Sequence, residues 1–348
     1  PATIKKVLGV VTESTMGLLT IHLEEPQGYG RIVRDTNGDI TEIVEQKDAS
    51  DEQLQITEVN TGVLALRASQ LCEWLPKITN NNAQGEYYLT DLVAIAREAN
   101  VKVISVNPES ATEVEGVNNR AQLSQLERAH QRQLAELLME SGTSLADPSR
   151  FDQRGELTAG TDNFIDINCI FEGHVTIGND VSIGANCHIS NSTIGDGVSI
   201  LPNTIIESSV VGDRAVVGPF ARLRPGTEME SDTKVGNFVE TKKALVGKGS
   251  KINHLSYVGD AQLGQNVNVG AGTITCNYDG VSKHKTDLGD GVFVGSNSTL
   301  VAPIKVHSGG FIAAGSTVTS EVPSESLAVA RAKQRNIKGW KRPSKKEV

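Results

Sequence analysis

Residues 176–219 read TIGNDVSIGANCHISNSTIGDGVSILPNTIIESSVVGDRAVVGP. An aliphatic residue followed by glycine recurs there at Ile177-Gly178, Ile183-Gly184, Ile194-Gly195, Val211-Gly212 and Val217-Gly218, and mostly small or polar residues fill the intervals. The same beat runs from about Ile165 to Val318, through Val235-Gly236, Val246-Gly247, Val258-Gly259, Leu263-Gly264, Val269-Gly270, Leu288-Gly289 and Val294-Gly295. Most gaps are about six residues or a small multiple of six. A hexapeptide period marks a parallel β-helix, in which each short strand turns one aliphatic side chain into a narrow prism and small residues allow the tight corners. Three hexapeptides close a triangular coil of about eighteen residues, so the segment predicts roughly eight or nine coils, stable because neighbours stack. A sandwich or barrel rich in Val, Ile and Gly does not space its strands at six residues for so long.

The 348 residues are enough for two or three domains. A formal charge of −9 and a pI near 5.4 repel polyanions, which argues against a nucleic-acid or membrane-surface binder. An anionic substrate must then be held by a local basic cluster. Cys72, Cys169, Cys187 and Cys276 have no CxxC spacing, and neither a signal peptide nor a long apolar span is evident. The expectation is a reduced, soluble, cytoplasmic protein without membrane insertion. Aromatics make up only 4 % of the chain, as suits a prism filled with aliphatic side chains.

Residues 1–118 read as mixed α/β: a strand over Met16–Leu23, a hairpin of Arg31–Val33 and Ile40–Val44 across Asn37-Gly38, then a helix over Leu89–Ala99 and a strand over Val101–Val106. The piece is expected to be incomplete, with no initiator Met and too few strands to close a nucleotide-binding sheet. Residues 119–142 form a connecting helix. Asn119 is placed to cap it, Gly142 to end it, and Leu123, Leu126, Leu134, Leu137 and Leu138 to line one face. The β-helix occupies residues 143–328. A basic tail, 329–348, carries eight Lys or Arg against one Glu from position 331 onward.

The repeat specifies only core and corners, so its breaks are where function is expected. They are Pro219–Lys234, Glu240–Tyr257, and an insertion of about seventeen residues between Gly270 and Leu288. Nine Lys or Arg against six acids lie between Arg222 and Lys285, a local +3 in an acidic chain. Arg224 and Lys242 stand eighteen residues apart, one coil, and can clamp a phosphate from adjacent rungs. His254 lies near Lys242 and Tyr257, and imidazole suits proton removal near neutral pH. For a single Lys the bland alternative is a solvated corner, and for a single His a surface residue. Cys276 as a covalent nucleophile lacks a base fixed beside it in sequence.

At these residues the match becomes specific. Pro219-Phe220-Ala221-Arg222-Leu223-Arg224-Pro225-Gly226, Val235-Gly236-Asn237-Phe238-Val239-Glu240 and Asn268 through Gly280 resemble the bacterial bifunctional N-acetylglucosamine-1-phosphate uridyltransferase / glucosamine-1-phosphate acetyltransferase family. Gly28-Tyr29-Gly30-Arg31, Ile43-Val44-Glu45, Asn60-Thr61-Gly62, Gly85-Glu86-Tyr87-Tyr88 and Glu115 through Arg120 resemble the later part of its uridyltransferase domain. The resemblance implies a left-handed parallel β-helix preceded by a partial α/β nucleotidyltransferase domain, working as a homotrimer. It implies acetylation of glucosamine-1-phosphate by acetyl-CoA, on the way to the UDP-N-acetylglucosamine used for peptidoglycan and lipopolysaccharide. His254 falls on the family's catalytic base, and Arg224, Lys242, Tyr257 and Asn268 on its sugar-phosphate contacts. Ala271, Asn277, Tyr278, Ser296, Ala314 and Arg331 fall on its acetyl-CoA contacts, with Lys283 in the same loop. Gly30, Glu45 and Asn60 match uridyl-sugar contacts, and Asn118 matches one as well as a magnesium ligand. The family's Gly-rich nucleotide loop and the Asp that pairs with Asn118 have no counterpart here, so uridyl transfer is not expected of this chain while acetyl transfer is. Two rivals are a β-helix serving only as an assembly module for a nucleotidyltransferase, and a zinc enzyme on the same prism with three convergent histidines.

Overall fold

A computed structural model describes residues 2–117 and 119–342, in two compact units that meet in sequence between Ala129 and His130. The first holds a five-stranded sheet in the order Ile40–Val44, Arg31–Arg34, Glu58–Ala65, Thr15–His22, Lys102–Val106. The expected hairpin forms across Asn37-Gly38, with Ile32 opposite Ile43. Only Lys102–Val106 runs parallel to its neighbour. The helix read over Leu89–Ala99 opens instead with a 3-10 turn, Leu89–Asp91, before Leu92–Glu98. Met16, Leu18, Ile32, Trp74, Leu92 and Val103 fill this unit's core.

The helix Arg120–Glu140 has the expected ends: the Asn119 side chain accepts from the Gln122 N–H at 2.9 Å, and Gly142 leaves at φ 105°, a conformation that favours glycine. Its buried stripe differs from the one read from the leucines. Leu123 and Leu137 are exposed, whereas Gln131, Ala135 and Leu138 are buried. Gln131 decides the rotation. Its amide donates to the Gln153 carbonyl at 2.9 Å and accepts from the Gln153 N–H at 2.8 Å, joining the helix to strand Phe151–Ala159. A buried amide bonded both ways outweighs one more leucine in the interface.

From Thr143 onward the chain winds into a parallel β-helix. One face is an eleven-stranded ladder from Thr143–Leu145 to Leu327–Ala328; nine of its strands lie between Asn163 and Ile312, so the solenoid runs one coil past the repeat at each end. The other two faces join in a fifteen-stranded sheet, because long strands such as Glu240–Val246 and Tyr257–Leu263 continue through their corner. Ser182 stands on Ser199 and Lys234 on Lys251, steps of seventeen, while Arg222 stands on Glu240, a step of eighteen. The coil is thus slightly shorter than three full hexapeptides in places.

Ile183, Ile200, Val217, Val235, Ile252, Val269, Val294 and Ile312 stack through successive rungs of the first face, each at most 2 % exposed. Each such side chain contributes about 1.5–3 kcal/mol by leaving water. At one corner nine consecutive coils pass through the left-handed region, at Asn168, Asn186, Asn203, Phe220, Phe238, Leu255, Gly272, Asn297 and Gly315. Asn and Gly tolerate that conformation; Phe and Leu pay about 1–2 kcal/mol for it. These three bulky residues occupy consecutive coils and are exposed, with the Phe220 and Phe238 rings stacked at 5.2 Å.

The insertion is shorter than the sequence suggested. Tyr257 stands on Ile274, an ordinary step, but Cys276 stands on Val301, a step of twenty-five. Ala271–Cys276 therefore complete a regular coil, and the extra residues leave only between Cys276 and Thr286.

Ile206 is fully buried on the rung between Ile189 and Leu223, while its neighbour Ile205 points outward and is 38 % exposed. Ile206→Ala is expected to lower the unfolding free energy by about 2–5 kcal/mol, and Ile205→Ala by less than about 1 kcal/mol. Urea unfolding followed by circular dichroism checks this, and equal losses would contradict the inward-outward alternation.

Candidate active site

Arg224 ends strand Arg222–Arg224 and Lys242 lies in Glu240–Val246; the two stand directly on one another in the ladder, with Gly259 on the next rung. Leu223, Thr241 and Val258 point inward beside them, so alternation along the strand forces this column outward. Arg224 Nη1 donates to Glu240 Oε1 at 2.7 Å. Lys283, carried in by the extruded loop, meets Lys242. Contact with the Lys283 amine, repulsion from it and repulsion from Arg224 together hold the Lys242 ammonium below its ordinary pKa. Three crowded cations beside one carboxylate favour a bound dianion, which relieves the repulsion. Tyr257 folds its hydroxyl over Gly259, where an added Cβ would collide with it and crowd the Asn277 amide.

The extruded loop is stitched to hold Lys283 in place. Asp279 accepts from the N–H groups of Val281 and Ser282 at 2.8 and 2.6 Å and pairs with His284 at 2.6 Å. The Ser282 N–H, then His284, then the Val281 N–H hold the Asp279 carboxyl far below the usual carboxylate range. Asn277 is buried and its amide bonds Asp260, while Tyr278 is exposed and its hydroxyl donates to the Gly280 carbonyl.

His254 ends strand Lys251–His254 on the first face, one corner before Tyr257. Directly above it stands Asn237. Below it a column continues down the same corner. The His254 carbonyl accepts from Gly272 N–H, that of Ala271 from Asn297, that of Ser296 from Gly315, and that of Ala314 from Arg331 Nη1 at 2.6 Å. Ala271, Ser296 and Ala314 thus occupy equivalent corner positions in successive coils, and Arg331 reaches the last of them through its side chain. Three residues from separate stretches of sequence form one track of small side chains leading from the imidazole to the Arg331 guanidinium. Asn268 sits on the first face between the rungs of Lys251 and Phe293.

In the first unit, the Gly30 carbonyl accepts from the Asn60 N–H at 2.9 Å, and the Glu45 carboxylate lies where a Gly30 side chain would point. Gly30, Glu45 and Asn60 therefore come together. Asn118 lies outside the described residues. Among the described residues no group of three or more His, Cys, Asp or Glu side chains is placed to hold a metal ion. Nor, among them, is any helix long and apolar enough to cross a membrane.

Sequence reading missed Glu240, Asp260, Gly259 and Asn237. Glu240 as the partner of Arg224 and Asp260 as the partner of Asn277 were legible only through the register. Gly259 looked like an ordinary repeat glycine, and Asn237 an ordinary corner residue.

A family model described as the GMPPB C-terminal domain matches residues 154–231. The bifunctional protein GlmU of Marinobacter nauticus (strain ATCC 700491 / DSM 11845 / VT8) is 60 % identical over 343 residues, covering 99 % of this chain and 76 % of that protein. GlmU of Marinomonas sp. (strain MWYL1) is 58 % identical over 345 residues, with the same shares covered. The chain belongs to the GlmU family. It is an enzyme, and its solenoid is the left-handed β-helix that the GlmU resemblance implied. Among solved structures, the UDP-N-acetylglucosamine acyltransferase of Francisella novicida aligns at 18 % identity and TM-score 0.35, over 51 % of this chain and 65 % of that one. Its counterpart from Campylobacter jejuni aligns at 21 % and TM-score 0.38, over 54 % and 71 %. Both scores lie below 0.5, and nothing functional rests on them.

Lys283→Gln removes the amine that crowds Lys242, so the Lys242 pKa is expected to rise toward its ordinary value. Titration of the Lys242 side chain by heteronuclear NMR checks the direction; no rise, or a further fall, would contradict the charge cluster.

Proposed function

We infer that this chain acetylates glucosamine-1-phosphate with acetyl-CoA, giving N-acetylglucosamine-1-phosphate for UDP-N-acetylglucosamine synthesis. The observation that carries this reading is the pairing of Arg224 and Lys242 on adjacent rungs, one corner away from a histidine that heads a track of small residues. Arg224, Lys242 and Lys283 bind the phosphate, and Tyr257 and Asn268 hold the sugar. An ammonium cannot attack a thioester, so His254 takes a proton from the 2-amino group as its nitrogen forms the new amide bond. The carbonyl carbon passes through a tetrahedral oxyanion, for which the N–H of Ala271 or Ser296 is the donor. Its collapse breaks the C–S bond and releases CoA as the thiolate, which takes a proton from solvent to become the free thiol.

Acetyl-CoA lies along Ala271, Ser296 and Ala314, with Asn277 and Tyr278 beside it and Arg331 at its phosphates. Lys333, Arg335 and Lys338 follow Arg331 in the exposed tail, and we assign them to the same phosphates in an otherwise acidic protein. We assign residues 1–118 to a uridyltransferase-type domain, 119–142 to the connecting helix, 143–328 to the acetyltransferase β-helix and 329–348 to the tail. Gly30, Glu45, Asn60 and Asn118 are then uridyl-sugar contacts, with Asn118 also the magnesium ligand of the family. A homotrimer is the assembly that suits the exposed Phe220, Phe238 and Leu255 beside His254, and four free cysteines suit the cytoplasm.

Release of free thiol from acetyl-CoA on addition of glucosamine-1-phosphate tests the reading directly; no release would end it. His254→Ala is expected to lower kcat by about two to four orders of magnitude with substrate affinities within a few-fold. Lys242→Ala and Arg224→Ala are expected to weaken sugar-phosphate binding by about 1.5–3 kcal/mol each. An unchanged turnover in the first variant, or a coenzyme-only defect in the other two, would contradict the roles given.

Arg331→Ala is expected to raise KM for acetyl-CoA while leaving that for glucosamine-1-phosphate unchanged, and to flatten its dependence on ionic strength. Full acetyl-CoA affinity at low and high salt would instead make the tail a solvated terminus.

A further inference from the structure

Asn237 and His254 are paired in register on adjacent rungs, and both side chains leave the same face just before the left-handed corner. The His254 Nδ1 lies within hydrogen-bond distance of the Asn237 Oδ1. No other partner of the imidazole is present among the described residues, and Nε2 is left free. From this geometry we propose that Asn237 is the positioning residue for the base: its carbonyl oxygen accepts from Nδ1–H and so fixes the tautomer in which Nε2 carries the lone pair. The inference rests on the reading of His254 as the proton acceptor.

The chemistry follows from the two imidazole nitrogens. A neutral imidazole has one N–H and one lone pair, and only the lone pair can take a proton. In water the ring exchanges between tautomers, and a base in the wrong one presents N–H to the amine. An oxygen opposite Nδ1 selects the useful form and holds the ring plane, and an orienting acceptor of this kind recurs behind catalytic histidines. An amide does this without placing a negative charge beside the ring, so the imidazolium formed in the reaction is not trapped and can release its proton to solvent. Glu240 and Lys242 from one neighbouring strand and Tyr257 from the next flank this corner; Glu240 is engaged by Arg224, and Asn237 alone reaches Nδ1.

The test uses the whole chain with its histidines labelled in nitrogen-15, alongside steady-state kinetics of acetyl transfer. Long-range proton–nitrogen spectra distinguish the two tautomers at a single residue, assigned by loss of its signals in His254→Ala. The wild type is expected to hold His254 as Nδ1–H. Asn237→Leu, close in volume but with no acceptor, is expected to shift the ring toward Nε2–H and to lower kcat about ten- to a hundred-fold, with both KM values within about two-fold. Asn237→Asp keeps an acceptor and is expected to restore the Nδ1–H form, recover part of the turnover near neutral pH and move the acidic limb of the rate profile to higher pH. A wild-type ring already in the Nε2–H form, or an unchanged tautomer in Asn237→Leu, would overturn the proposal whatever the kinetics. If instead the tautomer shifts as expected but the wild-type chain transfers no acetyl group, the functional reading fails and the hydrogen bond stands. An Asn237→Leu protein that loses activity through KM alone would reduce Asn237 to a packing role.

Discussion

Everything in the second unit depends on the stacking of aliphatic side chains inside a prism one residue wide. Each inward Ile, Val or Leu sits on its counterpart in the coils above and below, and that contact holds most coils to seventeen or eighteen residues. Alternation along a strand then leaves no freedom outside: where Leu223, Thr241 and Val258 are buried, Arg224, Lys242 and Gly259 must face out and must stand in a column. A slip of one residue would turn the cations into the core and the apolar residues into water, at a cost no local contact offsets. The column of Arg224 and Lys242 is therefore held by the core, not by the weak interactions among its own exposed groups.

Two of the buried polar side chains lie on the rungs of this column and the next coils. Thr241 and Thr275 are buried inside the prism, and each is satisfied there, Thr241 by Thr227 and Thr275 by the backbone of Gly259. Outside, the corner that uses Asn or Gly elsewhere carries Phe220, Phe238 and Leu255, in a conformation bulky side chains resist. Strain that persists in three consecutive coils needs a counterpart gain, and these coils are the ones that carry Arg224, Asn237, Lys242 and His254. Burial of those side chains against neighbouring protomers in a trimer would supply it.

Much of this was legible in the sequence because the repeat makes position arithmetic. Eighteen residues between Arg224 and Lys242 meant one coil, and the ladder pairs them. The hairpin at Asn37-Gly38 and the cap at Asn119 were legible because a single residue type has one physical use there. On the connecting helix Leu138 is buried and Leu126 and Leu134 half-buried as expected, but Leu123 and Leu137 were misplaced because Gln131 binds the backbone of a strand whose approach no periodicity encodes. The insertion was overestimated because Ala271–Cys276 keep the coil register without keeping the aliphatic-glycine beat. Asn237 was missed for a related reason: a corner asparagine is ordinary in such folds, and only its place above His254 sets it apart. The track from Ala271 to Arg331 is plain in three dimensions because the extruded loop no longer obscures the steps between its members.

The central claim is that coil register alone assembles the acceptor site. A crystal structure of this chain with glucosamine-1-phosphate bound tests it most directly. The phosphate is predicted between Arg224 and Lys242, with the 2-amino group facing Nε2 of His254. A sugar phosphate bound elsewhere on the solenoid, with Arg224 and Lys242 facing only solvent, would contradict the account.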